Sequence, residues 1–177
     1  MIIVRITSGL GNQMYQYNFY RMMKEMYPSV SVKADITWFN ASNEHHGFEL
    51  NKIFANVPGS DFSLDVASSK EIYKVTGQIP NLVKGPLAGT CRFLLGPVNR
   101  ILRERIHPNR EYYSIDRLES ERTDSFYEDV THLDTSKDWY LFGFWIEEEY
   151  YKNRLDKIRS QFIFPALPEG ENQRLAE

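Results

Sequence analysis

Hydrophobic and polar positions change their period twice within the first 35 residues. The run "MIIVRI" (1–6) is apolar and β-branched and is bounded by Thr-Ser-Gly, which predicts a buried strand. From Met14 the spacing turns helical: Tyr15, Phe19, Met22 and Met26 fall at i, i+4, i+7 and i+11, and Pro28 lies just beyond. "VSVKAD" (30–35) then alternates like a second strand. Strand, tight glycine loop, helix and strand make a βαβ unit, which takes a right-handed crossover and predicts a parallel sheet.

Further along, "HHGFELNKIF" (45–54) predicts a turn leading into a short helix, whereas 57–90 mixes Pro, Gly and Ser with short apolar pieces. "CRFLLGPVNRILRERI" (91–106) reads as two helical pieces broken at Gly96-Pro97. Its cations are all Arg; they form either a small basic face or, the preferred account, an ordinary solvated helix surface. "DWYLFGFW" (138–145) suits a strand buried on both faces. It leads into a predicted helix over 147–162 with an apolar stripe of Tyr151, Leu155, Ile158 and Phe162. Glu147, Glu148 and Glu149 in its first turn and Lys157 and Arg159 near its last suit the macrodipole. "FPALPEGENQRLAE" (164–177) reads as a linker and the start of a polar helix.

Composition narrows the function classes. With 42% hydrophobic and 25% charged residues, the chain belongs with folded globular proteins rather than disordered ones. A net charge of −3 provides no global basic field, which argues against a dedicated nucleic-acid binder. Cys91 stands alone, so neither an intrachain disulfide nor a cysteine-based structural zinc site is expected. The N-terminal apolar run is too short for a signal peptide and is interrupted by Arg5, and no segment reaches the roughly 18–20 apolar residues of a membrane span. The location expected is cytoplasmic, with peripheral attachment to the inner face of a membrane as a variant of it. Eleven Tyr, eleven Phe and three Trp tilt the ligand class mildly toward carbohydrate.

The loop "SGLGNQ" carries the clearest chemistry. Glycines between a strand and a helix expose backbone N–H groups at a helix N-terminus, which favours phosphate. A P-loop would continue with Gly-Lys-Ser/Thr, and Asn12-Gln13-Met14 supplies none of these. Gly9 and Gly11 match the first two glycines of a dinucleotide fingerprint and Asp35 stands where its ribose-binding acid would be, but Met14 occupies the place of the third glycine. A plain strand-to-helix turn fits the spacing equally well. The amides of Asn12 and Gln13 tilt the reading toward a nucleotide-sugar diphosphate or an acceptor hydroxyl, because they donate and accept without charge. His45, His46 and Glu49 make a poor metal set, and a hydrogen-bonding role at a cleft rim or a turn cap is preferred. His107 and His132 are isolated, and no Ser/His/Asp or Cys/His arrangement stands out.

"MIIVRITSGLGNQMYQYNFYRMM" resembles the N-terminal signature of the family 11 glycosyltransferases, the α-1,2-fucosyltransferases. Members commonly open with an Ile/Val strand followed by Gly-Gly-Leu-Gly-Asn-Gln-Met-Phe-Gln-Tyr-Ala; here Ser8 replaces the first glycine, Tyr15 the Phe and Asn18 the Ala. "HHGFEL" is similar to the family's His-x-Gly-Tyr/Phe-Glu-Leu, "YLFGFWIEEEYYKNRLDKIRSQFIF" to its Gly-Tyr/Phe-Trp and Ile-Arg-x-x-Phe segment, and "ENQRLAE" to the helix that follows.

The resemblance implies an α/β fold: the Rossmann-like N-terminal half of a GT-B-like enzyme, a parallel sheet flanked by helices. On that basis 1–163 would be an acceptor-side domain, and 164–177 a linker and the start of a donor-binding domain. The implied reaction is inverting, metal-independent transfer of fucose from GDP-fucose to the 2-hydroxyl of a terminal galactose, with no cofactor beyond the donor substrate. Gly9, Gly11, Asn12 and Gln13 would lie near the donor diphosphate, with Asn12 at the reacting hydroxyl, and His46 and Glu49 would be on the acceptor side. The family's His-x-Arg-Arg-x-Asp motif, whose Arg would grip the GDP phosphates, does not occur in the 177 residues. "HPNREYY" at 107 has one Arg in another frame and no partner Asp. The chain alone is therefore expected to be inactive, and its partners are expected to be GDP-fucose and a galactoside. A non-catalytic carbohydrate-binding remnant, self-associating through an exposed docking face, is the alternative.

Overall fold

The β-branched run at the N-terminus forms β1, Ile2–Arg5, in a computed structural model that describes residues 1–42, 45–80, 82–83, 87–105, 110–114 and 126–166. Three further strands, β2 (Val32–Asp35), β3 (Arg110–Ser114) and β4 (Asp138–Phe142), join it in one sheet of order β2-β1-β4-β3. Every pairing is parallel, with Ile2 opposite Val32 on one side and Trp139 on the other. The central position of β1 explains its uninterrupted apolar sequence, since Ile2, Ile3 and Val4 are all buried. The protein is an α/β fold.

Alternation along β1 divides the core between the two sheet faces. Ile2, Val4 and Ile6 pack with α1 (Leu10–Met26), α3 (Leu50–Phe54) and Phe162 at the end of α7 (Leu155–Gln161). Ile3 and Tyr140 pack on the other face against Ile72 and Val75 of α4 (Ser69–Thr76). Two shorter helices, α2 (Trp38–Ala41) and α6 (Phe126–Thr131), and the long α5 (Ala88–Arg105) complete the described set.

Several predicted elements change on folding. Helix α1 begins at Leu10 rather than Met14, and it is buried well beyond one stripe, while Tyr15 is exposed. The predicted strand over 138–145 stops at Phe142, because the chain then turns so that Trp145, at φ 58°, stacks on Phe19 with ring centroids 3.8 Å apart. The helix predicted over 147–162 is a short 3-10 turn at Glu148–Tyr150 followed by α7. Asn18 Nδ2 donates to the Tyr150 carbonyl at 3.2 Å, and the Arg154 N–H turns instead to Tyr151 O. Tyr150 is buried against Phe19 and Trp145, a position that a straight helix would not supply. Conversely, the break predicted at Gly96-Pro97 is absent, and α5 runs through Pro97. Proline removes one N–H there, and the Phe93 carbonyl it would have served lies on an exposed turn. The turn and short helix predicted at 45–54 are present, whereas His107 and the helix start at 171–177 lie outside the described residues.

Helix α4 carries the best-formed cap in the chain. Ser68 Oγ accepts from the Glu71 N–H and the Glu71 carboxylate accepts from the Ser68 N–H, a reciprocal capping box. The hydrogen bond from Lys33, helped by the Ser68 N–H and hydroxyl, holds the Glu71 carboxyl at about 2, against an ordinary 4.5. A depressed folded-state value contributes stability that is fully present above pH 4.5 and lost as pH falls toward 2. Urea unfolding should therefore show Ser68→Ala costing about 1 kcal/mol. Glu71→Gln should flatten the acid limb of the stability curve in that pH window.

Candidate functional site

At the carboxyl end of β1 the chain reverses into α1 through Thr7–Gly9. No side chain caps the helix N-terminus and no acid stands in its first turn, which leaves its leading N–H groups facing outward. Two other segments are drawn to the same place by buried amides of α1. Gln13 donates to Ser8 O (2.8 Å) and Gly47 O (3.0 Å) and accepts from the Glu49 N–H (2.9 Å). Gln16 accepts from the Thr7 N–H (2.8 Å) and donates to Gly143 O (3.0 Å), the first residue beyond β4. Both glutamines are fully buried. Three loops, 7–9, 45–49 and 143–147, thus converge on one helix end at the carboxyl edge of two paired strands, the usual ligand position in parallel α/β sheets.

The backbone marks the same spot. Among the described residues, the non-glycine positions with positive φ are Ser8 (67°), His45 (54°) and Trp145 (58°), one in each converging loop. Such conformations cost of order 1–3 kcal/mol each and cluster where surrounding structure is used to fix a site.

The sequence-predicted residues divide between these roles. Gly9 packs closely under His45: a Cβ there would come within 3.1 Å of the ring Nδ1, so the His45 side chain would have to give way. Gly11 has open space where a Cβ would go, so nothing in the fold demands a glycine. Asn12 is half-buried, and its amide makes no hydrogen bond within the described residues. Gln13, by contrast, has both its donors and its acceptor occupied inside the chain; its amide fixes the loop rather than facing outward. His46 is exposed and contributes its carbonyl to Lys52 Nζ at 2.9 Å, and Glu49 is held through its N–H. Phe144 and Ile146, exposed on the loop that Gln16 tethers, add apolar surface beside the opening. His132 is exposed at the end of α6, its Nδ1 against Glu128 O.

Sequence reasoning missed Gln16 and Asn18, whose buried amides place the β4 exit and the Tyr150 turn. Their signal was polar residues set among aromatics on α1, and it identifies no partner 127 or 132 residues away. Asp35, which the dinucleotide pattern would place at a ribose, serves the sheet. It is buried, accepts from Tyr140 Oη at 2.6 Å and caps the Thr37 N–H at 2.8 Å, so its carboxylate joins β2 to β4 across β1. No group of three His, Cys, Asp or Glu side chains among the described residues could hold a metal.

Compared with models of protein families, with curated proteins and with solved structures, the chain matches none. Two substitutions separate structural from conformational demands at this site. Gln13→Ala strips partners from the Glu49 N–H and two carbonyls and should destabilise by about 2 kcal/mol. Ser8→Gly relieves a left-handed backbone and should stabilise by up to about 1 kcal/mol; chemical denaturation reads both.

Proposed function

We propose that this chain is the acceptor-side half of an inverting α-1,2-fucosyltransferase of GT-B-like architecture, acting with GDP-fucose and a galactoside. One observation supports this reading above the others. Gln13 of "SGLGNQ" hydrogen-bonds Gly47 and Glu49 of "HHGFEL", so two separated motifs that resemble the same family form one surface. The left-handed Ser8 adds to it, because the family pattern has glycine at that position.

The roles then follow from the chemistry available. The uncapped N–H groups of α1, approachable at Gly11, would face the donor diphosphate. The unbonded Asn12 amide would accept from the attacking galactose hydroxyl or donate to the diphosphate. Phe144 and Ile146 would meet an apolar face of a sugar ring. The hydroxyl oxygen forms its bond to the fucose anomeric carbon as the bond to the GDP oxygen breaks, its proton passing to a general base. GDP departure requires a cation grip of the Arg type, and the missing His-x-Arg-Arg-x-Asp motif would have supplied it. The dinucleotide alternative is the weaker one, since Asp35 is buried and already accepts from Thr37 N–H and Tyr140 Oη.

Titrating lactose and GDP into the isotopically labelled chain should shift the Gly11 and Asn12 amide resonances saturably. Asn12→Ala should abolish those shifts while changing stability by no more than about 0.5 kcal/mol. GDP-fucose and lactose together should yield no fucosylated product. Absence of any saturable shift, or saturable binding of NAD instead, would overturn the reading.

A further inference from the structure

Displacement by an acceptor hydroxyl needs a group to take its proton, and one ring beside Asn12 is placed to do so. The imidazole of His45 lies over Gly9: the three heavy atoms nearest the place of a Gly9 Cβ are its Nδ1, Cγ and Cε1, at 3.1, 3.4 and 3.5 Å. Gly9 is the N-cap of α1, and Asn12 is the third residue of that helix. Side chains at those two positions meet across the first turn, as they do in a capping box. The His45 ring therefore fills the space of an N-cap side chain and stands next to the Asn12 amide. It is exposed, and its nitrogens make no hydrogen bond within the described residues. The loop that carries it is held in place by Gln13, which donates to Gly47 O and accepts from the Glu49 N–H. Its own backbone is left-handed (φ 54°), a conformation that persists where neighbouring structure fixes it.

Other titratable side chains near the opening are less well placed. Thr7–Gly9 carries none, and Asp35 is buried and already accepts two hydrogen bonds. His46 and Glu49 flank His45 on its own loop, Lys52 is turned to the His46 carbonyl, and Glu147 stands on the 143–147 loop. None of them supplies an atom as near to the Gly9 position as the His45 ring does. We propose that His45 is the general base of this site, an assignment that rests on the transferase reading. The galactose 2-hydroxyl oxygen bonds to the fucose anomeric carbon, and the GDP oxygen leaves with the electron pair of the breaking bond. The hydroxyl proton passes to a nitrogen of the neutral imidazole, which becomes imidazolium. A hydroxyl has one proton to give, so with His45 as its acceptor the Asn12 amide donates, to the hydroxyl oxygen or to the diphosphate.

The test follows the His45 Cε1–H resonance of the full chain by NMR, with lactose and with 2′-deoxylactose, which lacks the acceptor hydroxyl. Lactose should move that resonance saturably and lower the pH midpoint of its titration, because only the neutral ring accepts from the hydroxyl. Lactose affinity should accordingly rise as pH rises through the midpoint. The deoxy sugar should bind about fivefold more weakly and leave the midpoint where it was. His45→Asn, a residue that tolerates a left-handed backbone, should keep the wild-type circular dichroism and remove the pH dependence of lactose binding. His132→Asn should leave that dependence unchanged. Saturable lactose shifts at Gly11 and Asn12 with a silent His45 ring, or equal effects of the two sugars on it, would overturn the assignment and leave the transferase reading standing. No saturable shift at Gly11 or Asn12 would overturn both.

Discussion

Gln16 is a fully buried amide that accepts from Thr7 N–H and donates to Gly143 O, and the arrangement of the site depends on it. A buried polar side chain is costly unless its hydrogen bonds are made, and that cost fixes the loops that supply the partners. Gln13 imposes the same condition on Ser8, Gly47 and Glu49, and Asn18 imposes it on Tyr150. Three uncharged amides on one helix thus position segments drawn from much of the described chain. Because the tethers are neutral, their geometry is insensitive to pH and salt, unlike a site assembled through ion pairs.

The apolar packing around these amides explains why they can be selective. Phe19 lies against Trp145 with ring planes 2° apart, and Tyr150 meets both rings edge-on. This aromatic cluster fills the space under the β4 exit and excludes water, which makes each amide partner irreplaceable by solvent. Outside the cluster, Arg154 and Lys157 converge on Glu25 and tie α7 to the far end of α1. Burial raises the Glu25 carboxyl, but these two cations outweigh it and hold the group below its ordinary value. Surface pairs of this kind contribute little to stability individually, so they set orientation more than strength.

Local pattern made the first βαβ unit legible, because the periods of β1, α1 and β2 follow from residues that stay near one another in the chain. The short α3 after the His45–Phe48 turn was legible for the same reason. Helix α4 had a readable Ser68-x-x-Glu71 cap that the Pro- and Gly-rich surroundings obscured. Partners distant in sequence were not legible. No pattern at Gln16 announces Gly143, and none at Asp35 announces Tyr140, 105 residues on. For the same reason local pattern extends one helix over 147–162, since the Asn18 amide that takes the Tyr150 carbonyl comes from another helix. Of the candidate site, Gly9 and Asn12 could be picked out from the loop, but the division of labour between Asn12 and Gln13 required the fold.

The central claim is that α1 holds the loops in place before any ligand arrives, through the buried amides of Gln13 and Gln16. Native-state amide hydrogen exchange tests it most directly, since the Thr7 and Glu49 N–H groups each donate to one of those side chains. The account predicts protection of both amides close to that of the β1 core, with the uncapped first-turn amides of α1 exchanging rapidly. Exchange of Thr7 and Glu49 at the rate of an unstructured loop would contradict it.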